Sequence, residues 1–282
     1  MGILTTVLSS HLRTPHLILR NIKWRMPRTI SDQQVVFVVG APRSGTTLLQ
    51  RVLASHSSLF SIEGETGIFS ARNYFTRTHF RLSTEDTQSL FDRSSDIVDF
   101  FANGVMLLKE RQAGETFVEK TPQHVRHLAF LLKHFPRAKF VHVIRDGRDC
   151  FCSAQGHPNI PQRSSVSTFA KYWKSCIKSA RRESDSDRIF TLKYEDFTAD
   201  ASGWLDRIMA FLGKEAEADQ LNPARIGDDQ RSAVKHFKRL TAPISNATVE
   251  RWRSELTPEQ VAAFDRIAGT ELQLHGYVVG GA

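Results

Sequence analysis

The chain has 282 residues, enough for one large domain or two small ones. With 40% hydrophobic and 24% charged residues it has a globular balance, which excludes a disordered, collagen-like or low-complexity chain. Its 38 Lys and Arg outweigh 30 Asp and Glu, and the net charge of +8 points to an anionic partner: nucleic acid, a membrane surface or a phosphate-rich small molecule.

Residues 1–34 read as a basic N-terminal extension, in which Arg13, Arg20, Lys23, Arg25 and Arg28 stand against Asp32, a net +4. Leu4, Val7, Leu8 and Leu12 recur at helical spacing, and Pro15 closes the pattern. Such an element either docks on the body or rests peripherally on an acidic membrane surface. It lacks the basic start and uninterrupted apolar stretch of a signal peptide. No apolar run in the chain approaches the ~18 residues of a membrane span.

Residues 35–282 read as one domain. Val35–Val39 is a continuous apolar run, rich in β-branched residues, that predicts a buried parallel strand. A helix over Thr46–Ser55 follows, then a short strand at Leu59–Ile62 and helices over Thr66–Thr76 and Asp96–Gln112. Thr116–Glu119 is extended, Gln123–His134 helical, and Lys139–Ile144 a second strong strand with a helix from Arg148. A long amphipathic helix over Val166–Glu183, a strand over Arg188–Leu192 and helices near 201–212 and 258–274 complete the alternation. The pattern predicts an α/β fold with a mainly parallel sheet of about five strands, covered by helices on both faces. Residues 222–248, with Arg231, Lys235, Lys238 and Arg239, read as a long basic loop of the kind that is usually functional or disordered. Cys150, Cys152 and Cys176 are too few and too oddly numbered for a disulfide framework. They point to a reducing, cytoplasmic compartment.

Gly40-Ala41-Pro42-Arg43-Ser44-Gly45-Thr46-Thr47 lies between the first strand and its helix. Backbone N–H groups converge there at a helix N-terminus, so the turn is an anion cradle in a P-loop-like three-layer sandwich. Its spacing is that of a Walker A loop with Thr46 in place of the lysine. That change suits a 5′-phospho group carrying a leaving anion other than a triphosphate. Four further stretches reach the same sheet edge. Strand Lys139–Ile144 delivers Arg145, with Ser153 eight residues on; Asp146 there gives the competing Walker B reading. Glu63-Gly64-Glu65-Thr66 follows the second strand and offers a carboxylate that could take a proton. Glu119-Lys120-Thr121-Pro122 places a lysine at a strand end, and Lys193-Tyr194-Glu195 follows the last strand. His124 and His127 lack a third ligand at metal-site spacing, and no recognised nucleic-acid module accompanies the basic residues.

The string Pro42-Arg43-Ser44-Gly45-Thr46-Thr47 resembles the 5′-phosphosulfate loop of the PAPS-dependent sulfotransferases, closest to the branch with the tyrosylprotein and carbohydrate enzymes. The resemblance runs over roughly residues 35–200, with the stretches above in family order. It implies PAPS (3′-phosphoadenosine 5′-phosphosulfate) as co-substrate, no metal, and transfer of a sulfuryl group to a hydroxyl acceptor. It implies Ser44, Gly45, Thr46, Thr47 and Arg43 around the 5′-phosphosulfate, Arg145 and Ser153 on the 3′-phosphate, and Tyr194 near the nucleotide. Lys120 would neutralise the bridging oxygen, and Glu65 would be the base, with Glu63 open as its substitute. The tyrosylprotein branch has an arginine after its Glu-Thr pair where this chain has Gly67. That departure points to a carbohydrate, lipid-linked or small-molecule acceptor, with peptide tyrosine still open. The alternatives are a P-loop kinase and a non-catalytic PAP-binding scaffold.

Overall fold

The computed structural model describes residues 15–71, 75, 79–158, 160–222 and 243–280. Strand β1 (Val35–Gly40) is buried along its whole length and lies in the middle of the sheet. With β2 (Leu59–Phe60), β3 (Thr116–Lys120), β4 (Lys139–Ile144) and β5 (Ile189–Lys193) it forms an all-parallel sheet of order β2-β3-β1-β4-β5. The chain places β2 and β3 on one side of β1 and β4 and β5 on the other. The carboxyl end of β1 is therefore the switch point, where open α/β sheets bind ligands. Register brings Lys120 level with Val38 and Val143 level with Gly40, so the ends of β3 and β4 flank the turn that leaves β1.

The helices are α1 (Pro15–Trp24), α2 (Thr46–Ala54), α3 (Thr84–Arg93), α4 (Ile97–Arg111), α5 (Leu128–His134), α6 (Gly147–Gln155), α7 (Val166–Arg182), α8 (Tyr194–Ala199), α9 (Ala201–Leu212), α10 (Trp252–Glu255) and α11 (Pro258–Leu274). Alternation along the strands sorts the two cores. Val36, Val38, Val141 and Val143 face α2 and α9 through Leu49, Val52, Leu53, Ile208 and Met209. Phe37 and Phe140 face the opposite layer, where their rings stack at 5.2 Å and Phe37 also stacks on Phe101 at 5.6 Å.

Several elements differ from the sequence expectation. Of the helix expected over Thr66–Thr76, the described residues show a 3-10 turn, Ile68–Ser70, with Gly67 before it at a positive φ of 61°, outside the helical path; residues 72–74 and 76–78 lie outside the described ones. The helix expected over Gln123–His134 begins as a 3-10 stretch, Pro122–His127, before α5. Pro15 is the first residue of α1, where proline lacks only an N–H that the first turn leaves unpaired. Helix α3, capped by Ser83 on the Asp86 N–H, was not anticipated. Ser153 lies in the last turn of α6. The expected helical pattern at Leu4–Leu12 falls outside the described residues.

The second half of the N-terminal extension packs on the body. Trp24 is buried against Phe75, Phe91 and Phe100. The N–H groups of Arg28 and Thr29 donate to Asp96 Oδ2, at the start of α4.

Candidate active site

Beyond β1 the chain turns through Ala41–Gly45 into α2. Arg43 and Gly45 have positive φ of 71° and 99°, which winds the turn back over the sheet edge. Glycine is needed at 45 for a second reason: a Cβ there would lie 2.4 Å from Tyr194 Cδ2. The first amides of α2 have no carbonyl one turn earlier to take them, which leaves them for an anion at the turn. Ser44 Oγ is fully buried and has no hydrogen-bond partner among the described residues. A polar atom left in that state costs about 1–3 kcal/mol. An anion in the turn would satisfy it.

Two guanidinium groups border this cradle. Arg43 Nε donates to Ser153 Oγ at 3.0 Å. Arg145 Nη1 donates to the Arg43 carbonyl at 3.3 Å and Nη2 to the Thr248 carbonyl at 2.5 Å. The Arg145 guanidinium lies 4.4 Å over the Tyr194 ring, and the Tyr194 hydroxyl bonds Thr248 Oγ1 at 3.0 Å. Arg145 Nε is buried without a partner among the described residues. Burial lowers the Arg43 pKa, Arg145 adds to that, and Glu65 opposes it. Both groups would gain from a bound anion.

Across the crevice, Lys120 at the end of β3 donates to Glu65 Oε1 at 3.0 Å. Lys120 is 5% exposed and Glu65 41%, so the lysine is fixed in the wall while the carboxylate opens to solvent. The field of Glu65 reaches Arg43, which links this pair to the cradle. Glu63 is exposed on the same loop, with its carbonyl held by Arg81 Nε at 3.1 Å.

Thus Arg43, Ser44, Gly45, Thr46, Thr47, Arg145, Ser153 and Tyr194 gather around one turn, and Glu65 and Lys120 pair nearby. Arg231, Lys235, Lys238 and Arg239 lie outside the described residues. Both oxygens of Asp146 are taken by Arg148, at 2.9 Å from N, 3.0 Å from Nε and 2.8 Å from Nη2, so Asp146 is a structural acid of α6. Two acids escaped sequence reasoning. Glu119 is fully buried and accepts from Thr66 Oγ1, Thr121 Oγ1 and His124 Nδ1. Burial acts to raise its pKa, but His124 and these donors outweigh it and hold the carboxylate below its usual range. The available signal was phase: Glu119, two residues after Phe117, shares its aromatic face of β3, where an acid needs partners. Asp149 accepts the N–H of Glu250 at 2.8 Å and of Trp252 at 3.0 Å, tying the segment around Thr248 beside Arg145.

The model of the sulfotransferase family matches residues 35–218. The chain belongs to the sulfotransferase family. It is 24% identical over 198 residues to the zebrafish (Danio rerio) protein-tyrosine sulfotransferase 1, covering 64% of this chain and 53% of the relative. The chain spans about half the length of the first curated relatives it matches. Among solved structures, the sulfotransferase domain of the Synechococcus PCC 7002 olefin synthase aligns with a TM-score of 0.68 at 22% identity, over 88% of this chain and 98% of that one. A mouse sulfotransferase complexed with PAP aligns with a TM-score of 0.53 at 15% identity, over 87% and 86%. These likenesses establish the P-loop-like α/β fold. Among the described residues, no helix is long and apolar enough to cross a membrane.

Burial pushes the Asp149 carboxyl up to about 6, against the pull of the Trp252 N–H and Arg145. The folded protein therefore holds this proton above the unfolded value of ~3.9, and the resulting stability is present in full below about pH 4 and lost as pH rises through about 6. Melts of wild type and Asp149→Asn over that range should show the wild-type advantage shrinking with rising pH, by on the order of 2 kcal/mol. An advantage that grows with pH contradicts this.

Proposed function

We propose that this chain transfers a sulfuryl group from PAPS to a hydroxyl acceptor, giving a sulfate ester and PAP. One observation carries the reading: the Lys120–Glu65 pair lies at the same sheet edge as an anion cradle whose Ser44 Oγ and Arg145 Nε are buried and unpartnered. The cradle fits the nucleotide by that chemistry. Ser44, Gly45, Thr46, Thr47 and Arg43 hold the 5′-phosphosulfate, Arg145 and Ser153 the 3′-phosphate, and Tyr194 flanks the nucleotide. The PAP named with the mouse structure and the names of the curated relatives support the same assignment.

The acceptor oxygen attacks sulfur as the bond from sulfur to the bridging oxygen breaks. Glu65 takes the hydroxyl proton, and its contact with Lys120 favours it over Glu63. Lys120 leaves Glu65 to neutralise the bridging oxygen, while Arg43 and the first amides of α2 receive the departing 5′-phosphate. These fixed cations and dipoles supply the charge stabilisation without a metal. The commitment of Asp146 to Arg148 weighs against a magnesium-dependent kinase. Residues 35–282 act as one sulfotransferase domain. At Gly67 the backbone has positive φ and open space around the missing Cβ, with no side chain to grip an acidic peptide. This supports a carbohydrate, lipid-linked or small-molecule hydroxyl as acceptor. Radiolabelled PAPS offered to fractionated lipids, glycans and peptides should label one of the first classes; labelled peptide tyrosine overturns the acceptor assignment. With the labelled class as substrate, Glu65→Gln should lower turnover roughly 10²–10⁴-fold, and unchanged turnover removes Glu65 as the base.

Location is part of the proposal. The three cysteines are buried and free, which suits the cytoplasm. Leu19, Ile22, Met26 and Ile30 are each more than half exposed beside exposed Lys23, Arg25 and Arg28. This basic, apolar edge fits the surface of an anionic bilayer. The full chain should pellet with phosphatidylserine-containing vesicles and not with pure phosphatidylcholine. Replacing the four apolar residues with serine should release it; equal pelleting of the variant contradicts the proposal.

A further inference from the structure

Residues 61–67 carry Glu65 in a segment without helix or strand. A base on such a segment needs something to hold it over Lys120. Two consecutive residues of β3 grip two consecutive residues of this loop. Lys120 reaches Glu65, and Glu119, on the opposite face of the strand, takes the Thr66 hydroxyl at 2.7 Å. Because successive side chains of a strand point to opposite faces, the loop must straddle the strand end to make both contacts.

The hydrogen bonds around Glu119 share one polarity. Its Oε1 accepts from Thr66 Oγ1 and, at 2.6 Å, from Thr121 Oγ1, and its Oε2 lies 3.0 Å from His124 Nδ1. Each of these groups takes a backbone N–H of the loop on its other side. Gly67 N donates to Thr121 Oγ1 at 3.0 Å, Phe69 N to His124 Nε2 at 3.2 Å, and Ile68 N makes a longer 3.5 Å contact to Thr66 Oγ1. The Phe69 amide claims Nε2, so the His124 proton is on Nδ1, directed at Glu119. An ionised carboxylate accepts only. It therefore forces both hydroxyls and the imidazole to donate inward, leaving their free lone pairs for amides 67–69. Glu119, Thr121 and His124 are fully buried, so no water competes for these places.

We propose that Glu119 is a positioning residue: through Thr66, Thr121 and His124 it orients the loop that holds Glu65 over Lys120. This rests on Glu65 being the base, as argued above. Gln has the shape of Glu but presents an NH₂ to donors, so Glu119→Gln reverses one relay while keeping the volume.

The test compares wild type, Glu119→Gln and the milder pair Thr121→Val and Thr121→Ser. Amide hydrogen exchange at 67–69 should speed up in Glu119→Gln and Thr121→Val and return to wild-type rates in Thr121→Ser. Imidazole nitrogen shifts should show the neutral Nδ1–H form of His124 in wild type and its loss in Glu119→Gln. In the transfer assay kcat should fall about 10–100-fold in the first two variants, a typical cost of a misplaced catalytic group. PAP affinity should stay within about threefold, because the cradle on β1 and β4 is untouched. If wild type transfers no sulfuryl group, the functional reading fails while exchange and nitrogen shifts still decide the lock. Unchanged exchange at 67–69 in both variants, or unchanged kcat in an active enzyme, overturns the proposal. Loss of PAP binding in step with kcat does so as well.

Discussion

The residues of the candidate site are arranged around the crowded turn that leaves β1. The turn must fold back within a few residues, which sets Arg43 and Gly45 at positive φ. It must also pass under Tyr194, which leaves no room for a Cβ at 45. That close approach ties the first strand to the last, since Tyr194 directly follows β5. The same ring carries the Arg145 guanidinium and reaches Thr248. A larger residue at 45 would disturb the amide cradle, Tyr194 and the arginine on it together.

Strand alternation then divides labour. On β3 it sends Lys120 toward Glu65 and Glu119 into the aromatic layer that supports the sheet. On β4 it packs Val141 and Val143 against the α2 side, while the strand end delivers Arg145 beyond the last buried rung. The site is thus assembled from strand ends whose positions follow from packing on both faces, with the Glu65 loop fastened to the end of β3. Asp149 extends the scheme to the C-terminal segment, whose amides it holds next to Arg145.

The sheet was legible because its strands are continuous apolar runs with β-branched residues, and such runs bury as parallel strands whatever surrounds them. Arg43, Arg145 and Lys120 were legible because each sits at a strand end or in the turn after one. The segment after Glu65 was not. Thr66–Thr76 reads as a helix, yet Gly67 in the left-handed region and the claims of Thr121 and His124 on the amides of 67 and 69 hold residues 66–69 in a different path. Those partners are more than fifty residues away in sequence, so no local pattern announces them. Asp149 was hidden for the same reason: its amide donors are about a hundred residues on.

The central claim is that the cradle reads two anions at once, a 5′-phosphate group in the turn and a 3′-phosphate on Arg145. Calorimetric titration of PAP and of adenosine 5′-monophosphate tests it most directly, on wild type and on Arg145→Ala. Wild type should bind PAP at least about tenfold more tightly, or ~1.4 kcal/mol, and the gap should collapse in the variant. Equal affinities in wild type, or a gap that survives loss of Arg145, would contradict it.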